Sequence, residues 1–182
     1  GLPSLLHNII EDWKANSKSI NIAGFRTLIV YRFGRWRMTV KPKVFRIPLS
    51  FLYRQLEKHV RFKYGIELPY TTKIGRFVTF EHQHGIVIHG NAVIGDNCII
   101  RHGVTIGIQS VDKPHEAPKI GKNVNIGAGA KILGNISIGD NVVIGANAVI
   151  VKDIPPNSLV VGIPGTVIKV LSNRVKLNEN KY

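Results

Sequence analysis

The sequence predicts a mainly β fold, a parallel β-helix of triangular coils preceded by an α-helical segment. Three observations predict it. Ile120, Ile126, Ile132, Ile138, Ile144 and Ile150 recur at a strict six-residue period. Gly121, Gly127, Gly139 and Gly145 each follow one of these isoleucines, and Val124, Ala130, Ile136, Val142 and Ala148 each stand two places before the next. Neither a helix, with its period of 3.6, nor an ordinary strand, with its period of 2, locks glycine to a six-residue repeat. A solenoid of hexapeptides does, each supplying a short strand with an inward β-branched residue and a turn in which Gly or Asn takes unusual backbone angles.

Composition agrees with that reading. The chain has 182 residues, 44% of them apolar and 18 of them Gly, enough for one core and many turns. Its single cysteine, Cys98, excludes an intramolecular disulfide framework and suits a reducing cytoplasm. Arg26 interrupts the longest apolar run, INIAGFRTLIVYRF, and no signal-peptide layout opens the chain, so the expectation is a cytoplasmic protein, at most peripheral to the inner face of a membrane. The net charge of +14 is uneven: residues 1–65 hold 13 Lys and Arg against 3 acids, whereas residues 66–182 hold 12 against 8. Three partners fit such an excess: nucleic acid, an anionic membrane face and a phosphate-bearing substrate.

The elements follow in order. Ser4 caps a predicted helix running to about Lys14, with Leu5, Leu6, Ile9, Ile10 and Trp13 on one face. A second helical pattern uses Ile22, Phe25, Leu28, Ile29, Phe33 and Trp36, and Lys41-Pro42 interrupts it. A third, with Pro48 in its first turn, uses Phe51, Leu52, Leu56 and Val60. The expectation is that these faces pack on neighbours and expose the charge, with attraction to a membrane surface as the second reading. Nucleic acid ranks last, because no recognised binding motif accompanies the charge.

The sixes begin at Ile74, pass Phe80 and Ile86, and slip by two residues to Ile88 before Ile94, Ile100 and Ile106 resume the register. A 13-residue segment, GIQSVDKPHEAPK, then separates Ile106 from Ile120 and reads as a loop over a binding face. The pattern is expected to end at Asp153-Ile-Pro-Pro, with Val161-Gly-Ile-Pro-Gly turning the chain away. The predicted organisation is a basic helical region (1–65), the β-helix (66–170) and a polar tail (171–182). The helices cap one end, and the flat faces suit association about a three-fold axis, giving a homotrimer or a multiple of it.

Four histidines gather where the repeat falters: His82, His84 and His89 in EHQHGIVIHG, and His102 one coil later. A surface imidazole at a coil corner is the plain reading of His84, His89 and His102. His82 is different because of its neighbours. Glu81-His82 followed by Gly85-Ile86-Val87, the Val104-Thr105-Ile106-Gly107 coil, the GAGAKILGN segment at 127–135 and the Gly162-Ile163-Pro164 turn together resemble the serine acetyltransferases and their short relatives that O-acetylate surface polysaccharides. The resemblance covers about residues 64–170 and implies the left-handed form of the β-helix.

Carried over position by position, the resemblance makes His82 a general base, taking a proton from an acceptor hydroxyl as that oxygen attacks the thioester of acetyl-CoA. The family pairs this histidine with a carboxylate fifteen residues earlier; here that is Glu67, which would orient the ring. Glu81 is the adjacent acid, a candidate contact for the acceptor. Backbone amides near Gly107 are candidates for stabilising the oxyanion. Gly107, Ala128 and Ala146 match the small residues along which the cofactor lies, in a groove between subunits, and Lys152 and Lys169 would face its phosphates. Ordinary turn packing is the plain reading of the two alanines, and a solvated side chain that of Lys152. No metal is expected.

The departures bear on the acceptor. Serine-specific members carry Arg-His before the Pro-Lys-Ile that closes the loop, and an Arg there can grip a carboxylate with two hydrogen bonds. This chain has Glu116-Ala117 instead, with His115 close but displaced; Leu68-Pro69 replaces a His-Pro after the distal acid, and the helical part is much shorter. The expectation is therefore an O-acetyltransferase acting on a saccharide hydroxyl, with L-serine as the runner-up acceptor. Two readings from other classes are a zinc hydratase built on His82, His84, His89 and His102, and a non-catalytic trimeric scaffold whose basic helices bind membrane or nucleic acid.

Overall fold

The computed structural model describes residues 1–170; the predicted tail at 171–182 lies outside the described residues. Three helices come first: α1 (Leu2–Ala15), α2 (Ala23–Arg37) and α3 (Arg46–Tyr64). Pro3 and Pro48 lie in first turns, where a missing N–H costs nothing. Ser4 lies inside α1 rather than capping it, and its hydroxyl donates to the Gly1 carbonyl at 2.7 Å. Gly65, in the left-handed region at φ 61°, closes α3 by donating its N–H to the Arg61 carbonyl at 2.9 Å.

The solenoid follows at once. Its first coil is β1 (Ile66–Glu67), β2 (Lys73–Ile74) and β3 (Thr79–Glu81); its second is β4 (Ile86–Ile88), β5 (Val93–Ile94) and β6 (Ile99–Arg101). The third is β7 (Thr105–Gly107), β8 (Lys119–Ile120) and β9 (Asn125–Ile126), and the fourth β10 (Lys131–Leu133), β11 (Ser137–Ile138) and β12 (Val143–Ile144). A fifth coil consists of β13 (Val149–Ile150), a bridge from Ile154 to Ile138, and β14 (Ser158–Val161). Coil stacks on coil in parallel, giving three faces. Face A is β1-β4-β7-β10-β13, face B is β2-β5-β8-β11, and face C runs from β3 to β14 with β15 (Thr166–Val170) added antiparallel.

The six-residue period thus becomes a column of side chains. Ile88, Ile106, Ile132 and Ile150 stack on face A, and Phe80, Ile100, Ile126, Ile144 and Val160 on face C, all buried. The small residues two places earlier, from Val124 to Ala148, fill the same core. At the corners between faces B and C, Asn97, Asn123, Asn141 and Asn157 take the left-handed conformation that Asn tolerates. Three of them form a ladder: Asn123 Nδ2 donates to Asn141 Oδ1 at 3.0 Å, and Asn141 Nδ2 to Asn157 Oδ1 at 2.9 Å.

The repeat continues further than expected. Pro155-Pro156 occupies a corner rather than a strand, so Ile154 and β14 complete a coil beyond Asp153.

Helix α2 lies across the first coil. Tyr31 Oη donates to the Thr72 carbonyl at 2.8 Å and accepts the Ile74 N–H at 3.1 Å. Arg32 donates to Asp12 through Nε and Nη2, at 2.8 and 3.1 Å, and to the Ile74 and Gly75 carbonyls. Gly24 meets the Phe80 backbone so closely that a Cβ there would lie 2.6 Å from the Phe80 carbonyl oxygen. These contacts cap one end of the solenoid.

The expectation that the apolar stripes pack on neighbours holds for α2, where Phe25 and Leu28 are buried, and is corrected for α1 and α3. α3 buries Tyr53, Val60 and Tyr64 and leaves Phe51 67% exposed, with Leu52 and Leu56 also exposed; on α1, Leu5 is buried but Leu6 and Ile10 are not. The large amphipathic tyrosines, with Arg26 donating to Tyr64 Oη at 2.8 Å, take the inward side of α3. Among the described residues no helix is long and apolar enough to cross a membrane.

Candidate active site

The two-residue slip in the repeat becomes a bulged corner between β3 and β4. Phe80 and Ile88 are separated by two residues more than the equivalent pair Ile100 and Ile106, and the surplus lies in His82-Gln83-His84-Gly85. His84 keeps its place in the stack: its N–H donates to the Tyr64 carbonyl at 2.8 Å and its carbonyl accepts the Gly103 N–H at 3.0 Å. His82 and Gln83 are pushed out into solvent. Like His84 at φ 77°, His82 at φ 64° takes a left-handed conformation that costs a histidine about 1 kcal/mol. Its ring meets that of His102, one coil on, edge to face with centroids 5.7 Å apart.

The same edge continues along the solenoid. The Gly129 N–H donates to the His102 carbonyl at 2.9 Å, and the Asn147 N–H to the Ala128 carbonyl at 2.8 Å. Ala128 and Ala146 therefore follow His84 and His102 on successive coils, with Ala128 half-buried and Ala146 exposed. Beside this edge, on face C, Glu81 Oε2 accepts from Arg101 Nε at 2.9 Å, and Arg101 Nη1 donates to Asn125.

Other predicted residues lie elsewhere. Gly107 ends β7 at the corner between faces A and B, where its carbonyl accepts the Gly134 N–H at 2.9 Å. The surface above it is open: a Cβ at Gly107 would find its nearest neighbour, Thr105 Cγ2, at 3.9 Å. Lys152, exposed, follows β13 at the same corner two coils on. Lys169 is exposed on β15, opposite Leu159. Glu67 is exposed on face A opposite Val87, and among the described residues no hydrogen bond or ion pair joins it to His82. One chain thus gathers His82, Glu81, Ala128 and Ala146 on one edge and sets Gly107 and Lys152 on another.

The predicted loop leaves from that second edge. Asn91 Nδ2 donates to the Pro114 carbonyl at 3.4 Å and lies 3.3 Å from His115 Nδ1. Glu116 pairs with Lys113 at 3.3 Å, and Ala117 is buried. Two residues near the site were not singled out from sequence: Arg101, and Lys131, whose Nζ donates to the Gly103 carbonyl at 2.6 Å and Thr105 Oγ1 at 3.1 Å. The 20-residue step that stacks Ile100 on Phe80 also stacks Arg101 on Glu81, a signal present in the register. Cys98 offers no nucleophile, since burial pushes its thiol up to about 11. Among the described residues no group of three or more His, Cys, Asp or Glu is placed to hold a metal ion.

Comparison with known proteins matches this architecture. Residues 117–152 match the family described as bacterial transferase hexapeptide (six repeats). The chain is 39% identical over 149 residues to a serine acetyltransferase of Synechococcus elongatus, an alignment covering 80% of this chain and 57% of that protein. The structure of soybean serine acetyltransferase complexed with serine superimposes with a TM-score of 0.78 at 32% identity, over 91% of this chain and 70% of the other. The chain belongs to the hexapeptide-repeat acetyltransferases of the serine acetyltransferase type. Its solenoid is the left-handed β-helix of that family. A Brucella abortus serine acetyltransferase in complex with coenzyme A also superimposes, with a TM-score of 0.80 at 27% identity over 93% of this chain and 70% of that one. The chain spans less than three fifths of its cyanobacterial relative. These relatives lend no support to the expected polysaccharide-acetylating branch.

Proposed function

We propose that this serine acetyltransferase-type chain transfers the acetyl group of acetyl-CoA to the hydroxyl of L-serine, with His82 as general base. The observation that carries the reading is the His82 corner: an imidazole held outside the coil stack in a left-handed backbone, on the edge that also bears Ala128 and Ala146. His82 takes the hydroxyl proton as the oxygen bonds to the thioester carbonyl carbon. Collapse of the tetrahedral adduct breaks the C–S bond, and the imidazolium returns the proton to the departing thiolate. O-acetylserine and CoA leave. Glu67 orients the ring and Glu81 meets the acceptor. The carbonyl oxygen, negatively charged in the adduct, is met by backbone N–H groups near Gly107.

L-serine displaces the saccharide acceptor expected from sequence because the similar proteins are serine acetyltransferases, one of them a complex with serine. A saccharide remains the second reading for a specific reason. Glu116 is engaged with Lys113 and Ala117 is buried, so neither offers a cation to a serine carboxylate. An acceptor screen with acetyl-CoA, reading free thiol, separates the two: saturation by L-serine supports the first, and saturation by a glycan alone overturns it.

The cofactor site is proposed to form between copies. Ala128 and Ala146 lie on one edge, and Gly107 and Lys152 on another, so a neighbouring chain must bring the second set to the first. A homotrimer about a three-fold axis that runs alongside the solenoids does this, with Lys152 and Lys169 toward the CoA phosphates. Sedimentation of the purified protein tests it; a monomer that turns over at the trimer's rate would contradict it. A cytoplasmic location, with the basic helices against the inner face of a membrane, completes the proposal.

A further inference from the structure

Among the described residues, Arg37 Nε is the buried side-chain nitrogen or oxygen left without a hydrogen-bond partner. Arg37 ends α2 and is only 7% exposed. Its guanidinium packs against the rings of Tyr53 and Tyr70, 4.5 Å from each centroid, the rings themselves meeting edge to face 5.5 Å apart, and its Nη1 donates to Ser50 Oγ at 2.8 Å and to Met38 Sδ at 3.3 Å. A buried cation normally has a carboxylate beside it, because an unpaired one is costly to desolvate. Arg37 has none.

Arg37 also lines a cavity of about 550 Å³ between the end of α2 and the start of α3. Arg46, Arg54 and Ser50 share its wall, and among the described residues no acid does. The nearest carboxylate along α3, Glu57, is drawn away to Arg61 at 3.6 Å. Cation–π stacking explains how Arg37 is held. It does not explain why two further arginines line the same cavity, Arg54 and Arg46, the latter with one N–H given to the Met38 carbonyl at 3.2 Å. Three guanidiniums and a hydroxyl form a donor set matched to a tetrahedral oxyanion. The rest of the wall is apolar: Ile47 and Phe51 line it and are themselves 69% and 67% exposed. A ligand that satisfies the whole wall carries phosphate at one end and hydrocarbon at the other.

We propose that this cavity binds the phosphate of an amphiphilic phosphate ester, such as the headgroup of an anionic phospholipid, with its apolar portion against Ile47 and Phe51. The site belongs to the helical cap and is independent of the acetyl-transfer reading. It gives the basic helices a defined ligand in place of a diffuse charge.

The test titrates the purified full chain with inorganic phosphate and with dihexanoyl phosphatidic acid below its micellar concentration, following thermal midpoint and heat of binding. In parallel, flotation compares vesicles of phosphatidylcholine alone with vesicles that include phosphatidic acid. The expected result is saturable binding of the short-chain lipid, about tenfold tighter than inorganic phosphate, and loss of at least tenfold in the doubly substituted Arg46→Gln, Arg54→Gln protein. Arg54 is exposed, and Arg46 is half-buried and donates to the Met38 carbonyl at 3.2 Å, so this variant is expected to keep its fold, which its circular dichroism and unchanged acetyl-CoA turnover check. Arg37→Gln should lose more. Binding to monomeric lipid identifies a site that also takes soluble esters; binding confined to vesicles containing phosphatidic acid identifies the membrane as the source. Either supports the site. Absence of saturable binding to any of these, or equal binding by wild type and the double variant, overturns it.

Discussion

The imidazoles of His82 and His102 meet edge to face, with centroids 5.7 Å apart and planes at 77°. They belong to successive coils, so the solenoid itself sets their separation. His82 lies on surplus residues with little backbone support, and the His102 ring is a wall against which it can settle. His102 is therefore expected to position rather than to transfer protons. His102→Phe, which keeps an aromatic edge, should hold kcat close to wild type, whereas His102→Ala should lower kcat by about tenfold with little change in the KM for acetyl-CoA. Steady-state thiol release checks both; equal loss in the two variants would assign His102 a chemical role.

Cys98 gives a second test. Burial pushes its thiol up to about 11, so at pH 8 it stays protonated and inert. The folded protein should show no reaction with a disulfide reagent at that pH and one equivalent after unfolding in guanidinium. A reactive native thiol would mean that the coil around β5 and β6 opens readily.

A buried charge pair joins α1 to α2, and its Arg32 also donates to the Ile74 and Gly75 carbonyls of the first coil. Removing one member of the Asp12–Arg32 pair leaves the other buried and alone. Arg32→Met should therefore destabilise by about 3–5 kcal/mol, measured by denaturant unfolding. By comparison, an Ile132→Ala cavity in the column should cost about 2–5 kcal/mol. Equal stability of Arg32→Met and wild type would show that the cap docks through apolar contact alone.

Glu11 introduces a pH dependence with a definite sign. The side-chain hydrogen bond from Arg76 holds its carboxyl below the ordinary range, against the opposing effect of burial, with the charges of Arg76 and His7 adding to the lowering. A group with a lowered folded pKa stabilises the fold above its unfolded value, about 4.3, and that contribution is lost as pH falls through the folded value. The thermal midpoint should fall on acidification below about pH 4, and Arg76→Met should make that fall shallower. An unchanged slope would mean that Glu11 gains nothing from Arg76.

Much of this was legible in the sequence. Six-residue spacing of Ile with locked Gly is a pattern that only stacked coils bury, so the Ile120–Ile150 column follows from it. The slip between Phe80 and Ile88 announced a bulged corner at His82. Other features depend on three-dimensional relations that periodicity does not carry. A helical stripe such as Phe51, Leu52 and Leu56 says which face is apolar, not whether a neighbour covers it, and here none does among the described residues. Arg37 reads as one more surface charge until Tyr53 and Tyr70 close over it. Gly107 and Ala128 read as one rail, although the triangular cross-section puts them on different edges.

The most informative single measurement is thiol release from acetyl-CoA by the wild type and by His82→Ala, each titrated with L-serine. The proposed function predicts saturable, serine-dependent release by the wild type, and loss of at least about a hundredfold in kcat by the variant, which still binds CoA. Turnover by His82→Ala at the wild-type rate would contradict it.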